Sequence, residues 1–337
     1  MKLIIQIPCF NEASSLPVAL AELPKQIPGV DEVEWLVIDD GSEDETALVA
    51  RRLGVQHVVG FRRNQGLARA FMLGIQACLE RGADVIVNTD ADNQYNAADI
   101  PALIQPILER RADLVIGARP IAEIQHFSPI KKLLQRFGSY VVRRVSGTDV
   151  MDAPSGFRAI SRDAALALNV FNDYTYTLET LIQAGQKGMR VVSVPVRVNG
   201  DLRPSRLVKS IPSYVKRSIL TIFRIFIVYQ PLKFFVMVGT LPFLTGLALG
   251  VRFLVQFARG EGEGHIQSLI LAAVLLLMGF LTYLSAILAD LLSVNRRLLE
   301  ELQRHHRSRL VELLPRESAR PAALASVMRE VRSIPPP

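Results

Sequence analysis

Two apolar runs near the carboxyl end of the chain constrain its architecture most. Residues 234–251 and residues 266–289 contain no charged side chain, and about 20 apolar residues in a helix are enough to cross the hydrocarbon core of a bilayer. The segment RGEGEGH, residues 259–265, is a short connection between the two runs. We therefore predict a two-helix transmembrane hairpin at residues 232–257 and 266–292. The alternative is a buried helix pair in a water-soluble core, but two such runs in succession are rare there.

Positive charge is concentrated beside these runs. The formal net charge is +7, and residues 202–233 include seven basic side chains and no acidic one. Such a cluster beside a membrane helix is typical of contact with anionic headgroups, so we expect a lipid bilayer, and no nucleic acid, as its partner. Arginines also follow the second run, and the positive-inside rule therefore predicts a multi-pass protein of the inner (cytoplasmic) membrane with both ends in the cytoplasm. Residues 206–231 are predicted to form amphipathic interface helices, and residues 294–337 a basic tail that ends in disorder.

Short apolar runs alternate with helical patterns in the first part of the chain. The predicted strands are residues 3–8, 34–39, 56–61, 84–88, 113–117, 155–160 and 189–198, and the predicted helices are 43–53, 65–81, 97–110, 128–144 and 176–187. Near-continuous apolar strands separated by helices are typical of an α/β fold, a mostly parallel sheet with helices on both faces. We place the end of this domain at residue 205. The initial run MKLIIQIPCFNE lacks a small-residue cleavage site, so we expect a first strand and not a signal peptide.

Acidic residues directly follow a predicted strand in the segment NTDADNQYN. Asp90 and Asp92 would lie at the carboxyl end of a buried strand, where open α/β sheets bind ligands. Oxygen ligands at that spacing suit Mg²⁺ or Mn²⁺, with Gln94 as a third ligand. A metal there would stabilise a departing nucleoside diphosphate. The alternative is an acidic loop that only caps the next helix.

A second acidic cluster, IDDGSEDET, also ends a predicted strand and precedes a helix. Its carboxylates are placed to bond a nucleobase or a ribose, or to cap that helix, and the two roles are compatible. The first strand ends in PCFNE, which brings an amide and another acid to the same edge of the sheet.

Taken together, the motifs IPCFNE, IDDGSEDET, NQGLARA, DADNQ, GAR and SGFRA resemble glycosyltransferase family 2, which has the Rossmann-like GT-A fold. With the apolar hairpin, the resemblance narrows to enzymes similar to dolichyl- and undecaprenyl-phosphate hexosyltransferases. It implies a metal-dependent enzyme that transfers a sugar, with inversion, from a nucleotide-sugar (UDP- or GDP-hexose) to polyprenyl phosphate at the cytoplasmic membrane face. The product would serve the synthesis of cell-envelope glycans or glycolipids.

The resemblance also implies a nucleotide site. Its residues would be Pro8, Asn11, Glu12, Asp40, Asp90 and Arg206. Arg206 lies in the segment RPSR, where relatives carry a Ser-Lys pair, so the charge is kept while its geometry differs.

On the acceptor side, the resemblance implies that a phosphate is bound by Arg119, Arg136, Ser155 and Arg158. Guanidinium groups suit this role because they pair phosphate oxygens bidentately and stay charged. The expected catalytic residues are Asp92, Arg119, Arg136 and Glu179. Glu179 aligns with the acid that acts as base in relatives with hydroxyl acceptors. A phosphomonoester has a second pKa of about 6 and needs no base, so we expect Glu179 to orient groups.

Three alternatives to this function differ in class. One is a membrane-anchored glycosyltransferase that acts on a hydroxyl acceptor such as a glycolipid, and another is a non-catalytic membrane scaffold. A processive polysaccharide synthase would need a QxxRW-type motif, whereas the only tryptophan is Trp35, inside a predicted strand. The sequence leaves open the sugar, the nucleotide, the lipid length and whether the protein forms a homo-oligomer.

Overall fold

A computed structural model describes residues 1–120, 129–170, 176–200, 220, 223–224, 227–260 and 266–313, with the backbone alone for residues 129–137 and 312–313. The chain divides into two compact units, one formed by Met1–Val215 with Glu301–Pro337 and the other by Lys216–Glu300. Most of the predicted interface helices and the predicted end of the tail lie outside the described residues.

The first unit is built on a seven-stranded sheet with the strand order β3-β2-β1-β4-β6-β5-β7. The strands are β1 Lys2–Cys9, β2 Glu32–Asp39, β3 His57–Gly60, β4 Val85–Asn88, β5 Leu114–Ala118, β6 Arg158–Ser161 and β7 Val191–Pro195. Strand β6 is antiparallel to β4 and β5, and the other neighbouring pairs are parallel. The prediction of a mostly parallel α/β sheet is confirmed.

Helices connect the strands of this sheet. They are α1 Leu16–Glu22, α2 Thr46–Arg52, α3 Leu67–Glu80, α4 Ile100–Leu108, α5 Pro129–Ser146, α6 Arg162–Ala167 and α7 Thr177–Gln186. Helices α1 and α6, of 7 and 6 residues, were not predicted.

The helices cover both faces of the sheet. Ile5 and Ile7 of β1 belong to a buried cluster that includes residues of α1 and α4. On the other face, Gly74 of α3 lies so close to the sheet that a Cβ there would be 2.4 Å from Gln6 Oε1 and 2.8 Å from Ile38 Cδ1. Burying each Ile or Leu in such layers contributes about 1.5–3 kcal/mol to folding.

A cluster of charged side chains lies at the amino-terminal half of β2. Glu34 lies 2.8 Å from Lys2 Nζ and 2.8 Å from His57 Nε2. Burial acts to raise the pKa of Glu34, but the hydrogen bonds from His57 and Lys2 outweigh it and lower the pKa to about 2. The ionised carboxylate therefore stabilises the pairing of β1, β2 and β3.

The second unit contains helix α8, Pro231–Ala258, and most of helix α9, Ile266–Leu313. By length and composition both are able to cross a membrane, with mean hydropathies of 2.0 and 2.4 in their most apolar windows. Helix α9 continues beyond residue 292, where the predicted span ends.

Small residues let α8 and α9 pack closely. A Cβ on Gly279 would lie 2.7 Å from Phe243 Cβ, and one on Gly246 would lie 2.9 Å from Leu276 N. Thr240 Oγ1 and Tyr283 Oη are hydrogen-bonded across the pair at 3.0 Å. Close packing through small residues and hydrogen bonds is typical of helix pairs in lipid, where the hydrophobic effect does not drive association.

Candidate active site

The carboxyl ends of β2, β1 and β4 lie side by side at one edge of the sheet. Cys9 of β1 is in register with Asp39 of β2, and Gln6 of β1 with Asn88 of β4. Because the three strands are parallel, the loops that follow them leave from the same edge. The structure therefore brings together the three segments that carry the predicted nucleotide and metal residues: 8–12, 39–46 and 89–96.

The loops after β1 and β2 are joined by hydrogen bonds. Asn11, with φ of 54°, donates its N–H to Ser42 Oγ at 2.9 Å and accepts from Glu43 N at 2.8 Å through Oδ1. Glu12 N donates to Thr46 Oγ1 at 2.9 Å. Pro8 is buried within β1, and the Glu12 side chain is 5% exposed. These contacts fix one wall of the site, and the Asn11 amide oxygen is part of that wall.

Asp40 holds the loop that precedes α3. Its two carboxylate oxygens accept from Gln65 N at 2.8 Å and Gly66 N at 2.9 Å, and only 4% of the residue is exposed. Burial raises the pKa of Asp40, although the two backbone hydrogen bonds act in the opposite direction. Asp40 thus shapes the rim of the site, and its predicted contact with the nucleotide stays a prediction.

The acidic loop, residues 89–96, follows β4. Asp90, Asp92 and Gln94 are each partly exposed, and Asp92 Oδ1 accepts from Gln94 N at 3.2 Å. Across the described parts of the chain, no group of three or more His, Cys, Asp or Glu side chains is placed to hold a metal ion. Two carboxylates and an amide still suit a hard cation such as Mg²⁺, which usually completes its shell with water and phosphate oxygens. The donor set therefore fits a divalent cation, and the metal role of these three residues stays a prediction.

A glycine makes room for the first of these carboxylates. A Cβ on Gly156 would lie 3.1 Å and 3.2 Å from the two oxygens of Asp90, and 3.0 Å from Tyr176 Oη. The Asp90 carboxylate thus lies directly against the backbone of the SGFRA motif. The bare α-carbon of Gly156 permits this approach.

A buried polar network supports the same place. Asn88 Nδ2 donates to Gly156 O and to Tyr176 Oη, both at 2.9 Å, and accepts from Gln6 Nε2 at 2.9 Å through Oδ1. Gly156 N donates to Tyr95 Oη at 3.0 Å. Burial, reinforced by the charge of Asp90, raises the pKa of both tyrosines, so they remain neutral at physiological pH.

Arg119, predicted to bind the acceptor phosphate, is paired with a carboxylate of the protein. Its Nε lies 2.6 Å from Asp152 Oδ2 and its Nη2 3.1 Å from Asp152 Oδ1. Burial acts to lower the pKa of Arg119, but the carboxylates of Asp152 and Asp90 keep it above its ordinary value. The guanidinium is also 5.9 Å from the centre of the Tyr95 ring. Two of its donor atoms are therefore already used.

Two further residues predicted to bind the acceptor, Ser155 and Arg158, are fully buried. Arg158 donates to Ser155 O at 2.8 Å, to Ala153 O at 2.8 Å and to Thr180 Oγ1 at 2.6 Å. Burial lowers the pKa of Arg158 to about 10, so it stays cationic at neutral pH. These bonds show that Arg158 supports the SGFRA turn. The predicted contact of Arg158 and Ser155 with the acceptor phosphate stays a prediction.

The remaining predicted residues are placed as follows. Glu179 lies in the first turn of α7 and is 5% exposed. Arg136 belongs to α5, in the part where only the backbone is described, and Arg206 lies outside the described residues.

Four residues of the site were not predicted from the sequence: Asp152, Asn88, Tyr95 and Tyr176. Asp152 stands three residues before Ser155 in MDAPSGFRA, so a carboxylate beside a buried arginine could have been sought there. Asn88 is the polar last residue of an apolar strand, which is a detectable signal. The sequence around Tyr95 and Tyr176 contains no such signal.

Comparisons with known proteins place the chain in a family. The family model for glycosyl transferase family 2 matches residues 4–168. The undecaprenyl-phosphate mannosyltransferase of Micrococcus luteus is 31% identical over 218 residues, which cover 61% of this chain and 88% of that protein. The polyprenol monophosphomannose synthase of Mycolicibacterium smegmatis is 27% identical over 204 residues, which cover 57% of this chain and 76% of that protein.

A solved structure shows the same fold. It is glucosyl-3-phosphoglycerate synthase from Mycobacterium tuberculosis in complex with Mn²⁺, UDP and glucosyl-3-phosphoglycerate, with a TM-score of 0.52, 22% identity, and coverage of 66% of this chain and 79% of that chain. The likeness confirms the predicted GT-A architecture. As its motifs predict, the chain belongs to glycosyl transferase family 2 and is a glycosyltransferase.

Proposed function

We propose that this protein transfers a hexose from UDP- or GDP-hexose to polyprenyl phosphate at the cytoplasmic face of the inner membrane. The proposal rests on one observation: the acidic loop and the loops after β1 and β2 lie at the same edge of the sheet. Two relatives act on polyprenyl phosphates according to their names, and two helices are long and apolar enough to anchor the enzyme beside such a lipid.

Asp90, Asp92 and Gln94 would hold the Mg²⁺ or Mn²⁺. A divalent cation bound there neutralises the charge that develops on the nucleoside diphosphate as the glycosidic bond breaks. The nucleoside would bind against the wall of the site that contains Pro8, Asn11, Glu12 and Asp40. Arg206 would reach the diphosphate from the segment after β7.

The enzyme needs to position the acceptor phosphate but does not need to remove a proton from it. A phosphomonoester with a second pKa of about 6 is already anionic at neutral pH, so it attacks the anomeric carbon directly and the configuration inverts. Within the described part of the chain, Arg119 Nη1 has no hydrogen-bond partner, which leaves it available to the phosphate. Arg136 would supply further positive charge. The burial of Glu179 supports an orienting role in place of a general base.

The direct test is transfer by the purified full-length protein in detergent. It is incubated with polyprenyl phosphate, Mg²⁺ or Mn²⁺ and a panel of labelled UDP- and GDP-hexoses, and we expect a butanol-soluble labelled product of inverted anomeric configuration. Asp92→Ala should lower the rate about 100-fold or more while the protein stays folded. The matched control is Asp163→Ala, an exposed carboxylate in the first turn of α6 at the opposite sheet edge, which should transfer normally.

Each alternative has its own outcome. Transfer to a glycolipid hydroxyl but not to polyprenyl phosphate would replace the acceptor class. Absence of transfer from every donor would favour a binding scaffold. An active Asp92→Ala variant would overturn the assignment of the metal loop.

A further inference from the structure

The last residue of α1, Glu22, is bound to two asparagine side chains that are distant in sequence. Asn93 Nδ2 donates to Glu22 Oε1 at 2.9 Å, and Asn199 Nδ2 donates to Glu22 Oε2 at 3.1 Å. Each carboxylate oxygen thus receives one amide donor. This arrangement ties together three segments of the first unit.

Asn93 lies inside the acidic loop, between Asp92 and Gln94. Its φ of 55° is in the left-handed region, which few residues other than glycine and asparagine adopt readily. Only 7% of the residue is exposed. Because this backbone conformation sets the direction of the flanking side chains, the bond to Glu22 acts on the geometry of the two neighbouring predicted ligands.

Asn199 belongs to a strip, residues 197–199, that runs along the acidic loop. Asn199 N donates to Gln94 O at 2.9 Å, and Asn96 N donates to Arg197 O at 3.3 Å, so Tyr95 and Val198 form an antiparallel bridge. The strip therefore holds the loop along one edge, and Glu22 is hydrogen-bonded to both the loop and the strip.

We propose that Glu22 is a positioning residue that sets the acidic loop in its metal-binding conformation. The inference rests on the proposed metal role of that loop. The carboxylate of Glu22 lies at the end of a helix whose residues Leu16 and Leu20 are buried in the core, so it offers the loop a rigid anchor. Neighbours that orient metal ligands typically change metal affinity by about 10- to 100-fold when removed.

The test measures metal binding without transfer. Binding of Mn²⁺ to the full-length protein in detergent, with UDP or GDP present, is followed by the electron paramagnetic resonance signal of free Mn²⁺. Glu22→Ala should weaken binding about tenfold. Glu22→Gln should stay within about twofold of the parent, since an amide satisfies both asparagines once one of them turns its own amide.

A double-mutant cycle tests the contact itself. Asn93→Gly removes the amide while tolerating the positive φ, and it should weaken Mn²⁺ binding about as much as Glu22→Ala does. The double variant should be no weaker than Glu22→Ala alone, because Glu22→Ala already removes the contact with Asn93. Glu80→Ala is the matched control: Glu80 accepts from the Gln76 amide at 2.9 Å on α3 and should leave Mn²⁺ binding unchanged.

The outcomes separate this inference from the proposed reaction. Unchanged Mn²⁺ affinity in Glu22→Ala, additive effects in the cycle, or equal weakening by Glu80→Ala would overturn the positioning role. A lower unfolding temperature in Glu22→Ala with normal Mn²⁺ affinity would likewise overturn it, since that pattern shows a structural role only. If polyprenyl phosphate is not an acceptor but Mn²⁺ binding depends on Glu22 as described, the proposed reaction fails and the inference stands.

Discussion

Gly156→Ala tests the placement of Asp90 with one added methyl group. The new Cβ would lie 3.0 Å from Tyr176 Oη and 3.1 Å and 3.2 Å from the oxygens of Asp90. An ordinary contact between carbon and oxygen needs about 3.4 Å or more, so one of these groups must move by a few tenths of an ångström. Tyr176 is stacked on Phe71 with ring centroids 3.9 Å apart and is fully buried. The partly exposed Asp90 is therefore the group that moves.

The magnitude follows from how sharply catalysis depends on position. A displacement of about 1 Å costs on the order of 100-fold in rate, so a shift of a few tenths should lower kcat/KM about three- to tenfold and weaken Mn²⁺ binding in parallel. Overpacking should reduce the free energy of unfolding by about 1–3 kcal/mol. The assays are transfer to polyprenyl phosphate, Mn²⁺ titration, and unfolding followed by the fluorescence of Trp35.

The control is Gly138→Ala in α5, where a Cβ meets none of the described atoms within 4 Å. It should leave transfer unchanged and slightly stabilise the helix, by about 0.5–1 kcal/mol. Gly156→Ala with the rate and Mn²⁺ affinity of the parent would refute the placement of Asp90 against this turn.

Three further predictions follow from other contacts. Asp152→Asn should lower the free energy of unfolding by about 2–4 kcal/mol and reduce transfer, because it removes the charge that compensates buried Arg119; unchanged denaturant unfolding would contradict this. Glu34, whose pKa is lowered to about 2 from an ordinary 4.5, contributes stability that is present above pH 4.5 and lost as the pH falls toward 2. Glu34→Gln should therefore cost about 1–2 kcal/mol at pH 7 and flatten the loss of stability between pH 4.5 and 2. Gly279→Leu should separate α8 from α9 and lower the unfolding temperature in detergent, whereas Gly250→Leu, where a Cβ has no neighbour within 4 Å, should not; equal behaviour of the two would disprove the close packing.

Local pattern was sufficient to predict much of this fold. The apolar strand before Asp90 predicted at which edge of the sheet that residue lies, because a buried parallel strand is a continuous apolar run and ligands bind at the carboxyl ends of such strands. The two uncharged runs predicted α8 and the first part of α9 for a similar reason, since their length alone matches a bilayer.

Pattern was insufficient where the surroundings of a side chain depend on how the backbone is folded around it. Arg119 and Arg158 look alike in the sequence, as cations near short motifs, yet one pairs with Asp152 and the other is enclosed by backbone carbonyls. The environment of a guanidinium depends on which groups the fold brings to it, and neither spacing nor composition encodes that.

The sequence by itself determined the fold class, the family and the edge of the sheet where the chemistry belongs, because these depend on periodicity and on motifs that are continuous in the chain. Only the tertiary structure decided which arginines are compensated or buried, that Gly156 admits Asp90, and that Glu22 reaches both Asn93 and Asn199. The contacts of Arg119, Gly156 and Glu22 join residues that are distant in the sequence. They exist only after the sheet has formed and its loops have been brought to one edge.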